Sequence, residues 1–231
     1  MSEYFQSGLF ANASIAFDLD GTLVDTAPDL VRALNAVVGP RGLAPVSLDD
    51  VRAMVGRGSR ALIERSYARE NITLEHQEAD DLVAAFIEIY QSDIAAQSQI
   101  FPGVEDTLSA MLNAGATLSV CTNKPSALSD LLIETLGLTR YFTRIIGPER
   151  TGAKKPAADH IRSALGSGHG VSAMIGDSSP DVDAARAAGI PSIVLSYGYS
   201  EKPASSLGAD RVIHSFSDVP KTLAEIWQVR R

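Results

Sequence analysis

The sequence predicts an α/β fold: a central parallel sheet covered on both faces, with an all-helical insert after its first strand. Three observations predict it. Six short runs, at residues 14–19, 117–121, 144–147, 171–176, 191–195 and 211–214, are apolar nearly throughout, as strands buried on both faces are. Helical patterns at 125–136, 157–165, 180–188 and 217–228 alternate with the later runs, and such alternation makes a parallel sheet with right-handed crossovers. From 26 to 98 the pattern is helical and shows no convincing strand.

The first strand, in "IAFDLDGTLVDT", ends on Asp18 and Asp20, with Gly21 behind them. A buried carboxylate is costly unless something compensates it. Residues two apart in a strand point the same way, so Asp18 and Asp20 are expected on one side. The insert opens with "TAPDLVRALNAVV", where Thr26 is the expected N-cap, Pro28 lies in the first turn and Asp29 takes the capping-box position. "LDDVRAMV", "SRALIERSYARE" and "EHQEADDLVAAFIEIYQSDIAA" continue it. Pro102-Gly103 signals the turn back to the sheet. Asp25, just before the insert, reads equally as a helix-start residue or an orienter of the site.

Bulk properties narrow the function classes. The 231 residues are 45% hydrophobic, and a chain of this size buries roughly 70% of its unfolded surface. The net charge of −8 argues against nucleic acid or an anionic membrane as partner, since both want basic patches. An anionic ligand would have to be held by a few placed cations or a metal. Cys121 is the only cysteine, which favours a reducing compartment; it reads as a small buried strand residue. The opening "MSEYFQSGLFANAS" lacks the basic and apolar regions of a signal peptide, and no run approaches the ~20 apolar residues of a membrane span. The expected location is cytoplasmic.

In a parallel α/β sheet, ligands bind at the carboxyl ends of the strands. The first strand delivers Asp18 and Asp20 there. The second delivers Thr122, Asn123 and Lys124; the third, after a loop, Lys154-Lys155-Pro156; the fourth Asp177, then Asp181. Singly, each reads as a cap, a turn or a surface charge. Jointly, they place carboxylates, a hydroxyl, an amide and at least one lysine on one edge. Several carboxylates with room for water suit Mg²⁺, which takes oxygen ligands and leaves positions for a substrate phosphate. The cation would offset the repulsion among Asp18, Asp20 and Asp177.

"DLDGTLVDT", "CTNKP", "KKP" and "IGDSSPDVDAARAAG" resemble, in order, the four motifs of the haloacid dehalogenase-like superfamily. The resemblance spans nearly the whole chain. It implies a Rossmann-like three-layer core at 1–25 and 100–231, and a C1 cap domain at 26–99. "MVGRGSRALIERS", "FPGVEDTL" and "ADRVIHSFSDV" further resemble the phosphoglycolate phosphatase-like branch. Carried over, Asp18 is the nucleophile that becomes an aspartyl-phosphate, and Asp20 is the general acid, then base. Thr122, with the neighbouring Asn123, binds the phosphoryl group and Lys155 stabilises it. Asp18, Asp177 and the backbone carbonyl of Asp20 hold Mg²⁺; Asp181 either touches the metal or supports the residues that do. The chain departs from the family in reading "KKPAAD", without a second proline, so Lys154 and Lys155 compete for one role; Lys155 is chosen because it directly precedes Pro156.

Within the insert, "VGRGSRAL" sets Arg57 and Arg60 around two glycines. Arg57 or Arg60 is expected to hold a substrate carboxylate by paired hydrogen bonds, or else both are solvated helix charges. "GRGSRA" also fits a dinucleotide-binding pattern, but it follows a helix rather than a strand. No role is assigned to any of the four histidines. The expected activity is Mg²⁺-dependent hydrolysis of a small phosphorylated metabolite, phosphoglycolate first, by a monomer or homodimer. A phosphosugar phosphatase or phosphomutase, and a phosphometabolite-binding module without turnover, are the alternatives.

Overall fold

The structure, a computed structural model, describes residues 5, 8–56, 58–167 and 170–229. Its elements run β1 (Ser14–Phe17), β2 (Val24–Asp25), α1 (Ala27–Val38), α2 (Leu48–Met54), α3 (Ser59–Arg69), α4 (His76–Ser92), β3 (Gln99–Ile100), α5 (Val104–Asn113), β4 (Thr117–Cys121), α6 (Ser126–Thr135), β5 (Arg144–Ile146), α7 (Ala158–Leu165), β6 (Ser172–Gly176), α8 (Ser179–Ala188), β7 (Ser192–Leu195), β8 (Arg211–Ile213) and α9 (Val219–Val229). The six long-range strands form one parallel sheet in the order β5-β4-β1-β6-β7-β8. β1 is therefore central, with β4 on one side and β6 on the other.

Its residues are buried in both directions. Ile15 and Phe17 face the larger core with Leu118, Val120, Ile175 and Ile193, whereas Ala16 faces a second cluster with Cys121, Met174, Ile161 and Ala185. That is the period-two alternation of a strand with helices on both faces. It also explains why these runs are apolar without interruption.

α1 to α4 follow one another between β2 and β3, which pair antiparallel as a two-stranded ribbon. α1 buries Leu30, Ala33, Leu34 and Val37, and α4 buries Ala79, Leu82, Phe86 and Tyr90. Both stripes keep helical spacing and meet across the helical unit. One helix goes beyond the sequence reading, which named only the turn at Pro102-Gly103 there. α5 buries Val104, Thr107, Leu108 and Met111, a stripe that the short window between turn and strand concealed.

One local expectation holds in part and one is corrected. Thr26 is the N-cap residue of α1 but makes no side-chain cap bond; its hydroxyl donates to Asp20 Oδ1 at 2.7 Å. Asp29 does not close a capping box. Its fully buried carboxylate accepts from the N–H groups of Gln97 (2.9 Å) and Ser98 (2.8 Å) and from the Ser98 hydroxyl (2.7 Å). Arg32 Nε reaches the other carboxylate oxygen at 3.5 Å, but the three shorter donors lie on the segment that returns to the sheet.

Candidate active site

β1 ends one residue before Asp18, and the chain turns at once: the N–H groups of Leu23 and Val24 both donate to the Leu19 carbonyl. The two-residue strand rule therefore stops applying, and Asp18 and Asp20 acquire different partners. Gly21 makes the turn possible at φ +82°. A Cβ there would sit 2.6 Å from Asp177 Oδ2 and 2.9 Å from the Tyr199 ring, so only glycine admits that close approach.

Carboxylate oxygens of Asp18, Asp177 and Asp181 lie within 4.8 Å of one another, all buried. Lys155 Nζ sits among them, 2.8 Å from Asp18 Oδ1 and 2.6 Å from Asp181 Oδ1. Asp177 accepts from the Thr22 hydroxyl at 2.7 Å and from the Tyr199 N–H at 2.5 Å. Asp181 Oδ2 accepts from the Ser178 hydroxyl (2.8 Å) and N–H (3.0 Å) and from the Asp177 N–H (3.2 Å), in the capping box that starts α8. Three carboxylates around one ammonium leave an excess of buried negative charge.

The electrostatics record that excess. Burial pushes the Asp18 carboxyl up to about 7, against the pull of Lys155 and with reinforcement from Asp181. Asp177 is raised well above the ordinary carboxylate value by burial, then by Asp181 and Asp18. Burial alone would lower the Lys155 pKa, but Asp18 and Asp181 outweigh it and raise it. An all-oxygen donor set short of positive charge is what a hard divalent cation fits.

The carboxylate of Asp20 is not part of that group. It accepts from Thr26 and, at 3.1 Å, from Lys124 Nζ. Of the side chains expected around the metal, Asp18 and Asp177 come together, and Asp181 joins them where Asp20 does not. Lys124 in turn donates to the Tyr90 hydroxyl at 2.9 Å and lies 4.4 Å from the centroid of the Tyr90 ring. Burial alone would lower the Lys124 pKa; Asp20 and Tyr90 overcome this and raise it.

Asp18, Asp20, Thr122, Asn123 and Lys124 form the core wall of a cavity, and Leu62, Phe86 and Tyr90 belong to its helical wall. Thr122 Oγ1 accepts from the Lys124 N–H at 3.1 Å, and its carbonyl takes His160 Nε2 at 2.9 Å. Asn123, expected at the substrate, has its side chain engaged elsewhere. It donates to the carbonyls of Gly56 (3.1 Å) and Lys155 (3.2 Å) and accepts from the Lys155 N–H (2.8 Å). It thereby ties Lys155 to the helical unit. Lys154 is exposed. Arg60 is also directed away from the cavity: its guanidinium pairs with Asp80 and, at 3.7 Å, with Glu64 on the exposed side of the helices. Arg57 lies outside the described residues.

Tyr90, Thr22, Thr26, Tyr199 and His160 join the site without having been expected there, and Lys124, expected at its strand end, has no role in the sequence reading. Lys124 carried a signal, standing in the same strand-end tripeptide as Thr122. Tyr90 falls on the apolar stripe of α4 and reads as core. Tyr199 follows Asp177 by 22 residues, and nothing local marks its N–H as a partner of that carboxylate.

A parallel sheet that gathers buried aspartates and a lysine at its carboxyl edge, beside a helical unit, fits a hydrolase of the haloacid dehalogenase-like class. The chain belongs to that family: the model of the haloacid dehalogenase-like hydrolases matches residues 15–195. It is 50% identical over 212 residues to the phosphoglycolate phosphatase of Caulobacter vibrioides, covering 90% of each chain. To the phosphoglycolate phosphatase of Agrobacterium fabrum it is 43% identical over 212 residues, covering 90% of this chain and 91% of the relative. Among solved structures it is similar to a predicted phosphoglycolate phosphatase from Haemophilus somnus 129pt, with a TM-score of 0.84 and 28% identity over 91% of this chain and 97% of that one. The chain is accordingly a phosphatase. Among the described residues, no helix is long and apolar enough to cross a membrane.

Proposed function

We propose that the chain is a Mg²⁺-dependent phosphomonoesterase that hydrolyses phosphoglycolate, a small phosphorylated acid, through an aspartyl-phosphate on Asp18. The observation that carries this reading is the Asp18 carboxylate itself, buried at the sheet edge against Lys155 and open to the same cavity as Asp20. Residues 26–99 act as the cap over a core of 1–25 and 100–231. Substrate identity is supported by the names of the relatives, and the cytoplasm is the proposed compartment for a chain whose lone cysteine is buried.

Asp18 attacks phosphorus, and the ester oxygen leaves. Phosphoryl transfer asks mainly for positioning and charge stabilisation, and a carboxylate held in place is an adequate nucleophile. Lys155 keeps Asp18 ionised and neutralises phosphoryl oxygens. The Thr122 hydroxyl binds one of those oxygens. Asp20 gives its proton to the leaving alkoxide and later takes one from the water that opens the acyl phosphate. Asp18, Asp177 and the backbone carbonyl of Asp20 would hold Mg²⁺, which supplies Lewis-acid neutralisation of the phosphoryl charge. Asp181 already accepts from Lys155, Ser178 and the Asp177 N–H, so it positions the other groups.

The test is phosphate release from p-nitrophenyl phosphate with and without Mg²⁺, followed by a screen of phosphometabolites. Mg²⁺-dependent release with the highest kcat/KM on phosphoglycolate is expected. Binding without release, or a clear preference for a sugar phosphate, contradicts the reading.

A further inference from the structure

With Arg60 paired on the outer side of the helices, the cavity needs another source of discrimination. Among its described lining residues, Lys124 is the one cation. An ammonium has three N–H donors. Lys124 directs one at the Asp20 carboxylate, whose two oxygens share it at 3.1 and 3.4 Å, and one at the Tyr90 hydroxyl, which leaves a third. The Tyr90 hydroxyl accepts from Lys124, and its own proton meets no acceptor among the described residues. Two unused donors thus sit side by side, on a lysine 6% exposed and a tyrosine fully buried.

The cavity's polar side chains gather at the sheet edge, with Ser59 and Tyr90 the exceptions, while Leu62, Phe86 and Leu128 line it as well. A polyhydroxylated substrate would bury hydroxyls against those apolar side chains, at a cost for each. A short substrate with a second anionic group meets the opposite conditions: one cation, one hydroxyl donor and a low-dielectric wall that strengthens both. Lys155 does not compete for that anion, because it lies beside Asp18 and Asp181 and serves the phosphoryl group. The spacing also limits length. Asp20 serves the ester oxygen, and Lys124 lies 3.1 Å from Asp20, so the groups they bind are held a short spacer apart.

We infer that Lys124 and the Tyr90 hydroxyl form the receptor for the substrate's carboxylate, and that this pair, one residue from the core and one from the helical unit, restricts the enzyme to short phosphorylated carboxylic acids. The inference rests on the phosphomonoesterase reading above. It also makes recognition depend on closure, since the receptor is complete only with α4 in place over the sheet edge.

The experiment compares kcat/KM for phosphoglycolate and for ethyl phosphate, which carries a methyl group in place of the carboxylate, using the full chain with Mg²⁺. The wild type is expected to prefer phosphoglycolate by about 100-fold or more. Tyr90→Phe should shrink that preference by about tenfold. Lys124→Met should remove most of it, while also slowing ethyl phosphate because Lys124 holds Asp20. Tyr90→Phe deletes a single oxygen and keeps the test open should Lys124→Met not fold. Equal losses on both substrates, leaving the preference unchanged, would overturn the inference and reduce Lys124 to a support for Asp20. A wild type that hydrolyses both substrates equally well overturns the inference and leaves the phosphatase standing. A wild type that releases phosphate from neither overturns both.

Discussion

Two lysines stand side by side before Pro156, and their surroundings separate them. Lys155 is 3% exposed with its ammonium between two aspartates, while Lys154 is exposed. Lys155→Met should therefore cut kcat/KM by about 10²–10³-fold, the usual effect of removing a donor aimed at developing charge. Lys154→Met should leave it close to wild type. The sign of the pH effect follows from the same contacts. Burial raises the Asp18 pKa and Lys155 opposes that rise, so losing Lys155 keeps Asp18 protonated to higher pH. The acid limb of the pH–rate profile of Lys155→Met is expected to move upward. A variant pair with equal activities, or an acid limb that moves downward, contradicts the role given to Lys155.

At the scale of elements, the helical unit joins the core through the β2–β3 ribbon, and Asp29 closes that junction. Its carboxylate links the first turn of α1 to residues 97 and 98. Asp29→Ala would strand buried donors and should destabilise the fold by about 3 kcal/mol, measurable by urea denaturation; a change under about 1 kcal/mol would show that water satisfies those donors. The same residue shows what was legible in the sequence. Helix α1 could be read from its apolar stripe and from Pro28, because periodicity and caps are local. The partner of Asp29 could not, because it lies 69 residues away and no local pattern records tertiary distance. Asp18, Asp177 and Lys155 were legible because strand ends share one edge of a parallel sheet. The pairing of Arg60 with Asp80 and Glu64 was not legible, because a glycine-flanked arginine looks the same whether it faces a cavity or an acidic neighbour on the next helix. Tyr90 stayed hidden in a core stripe, where a hydroxyl at its far end leaves no trace in the spacing.

For the whole molecule, the buried acids make stability depend on pH and metal together. Asp18 and Asp177 have raised pKa values in the folded chain. The folded state then binds more protons than the unfolded state, so the contribution of these groups is present below the ordinary carboxylate range and is lost as pH rises, through about 7 for Asp18. Mg²⁺ held by these acids, as proposed, would restore what the lost protons supplied and would bind the folded site alone. The rise in Tm produced by Mg²⁺ should therefore be clearly larger at pH 7.5 than at pH 5; an equal rise at both would place the cation away from these acids. The central claim is that Asp18 is the nucleophile, and one rate tests it most directly: steady-state phosphate release by Asp18→Asn, in a sample whose circular dichroism matches wild type, with Mg²⁺ and phosphoglycolate. The amide is nearly isosteric and a poor nucleophile, so turnover should be abolished with the fold intact. Substantial release by that folded variant would contradict the account, because phosphate would then be reaching water without passing through Asp18.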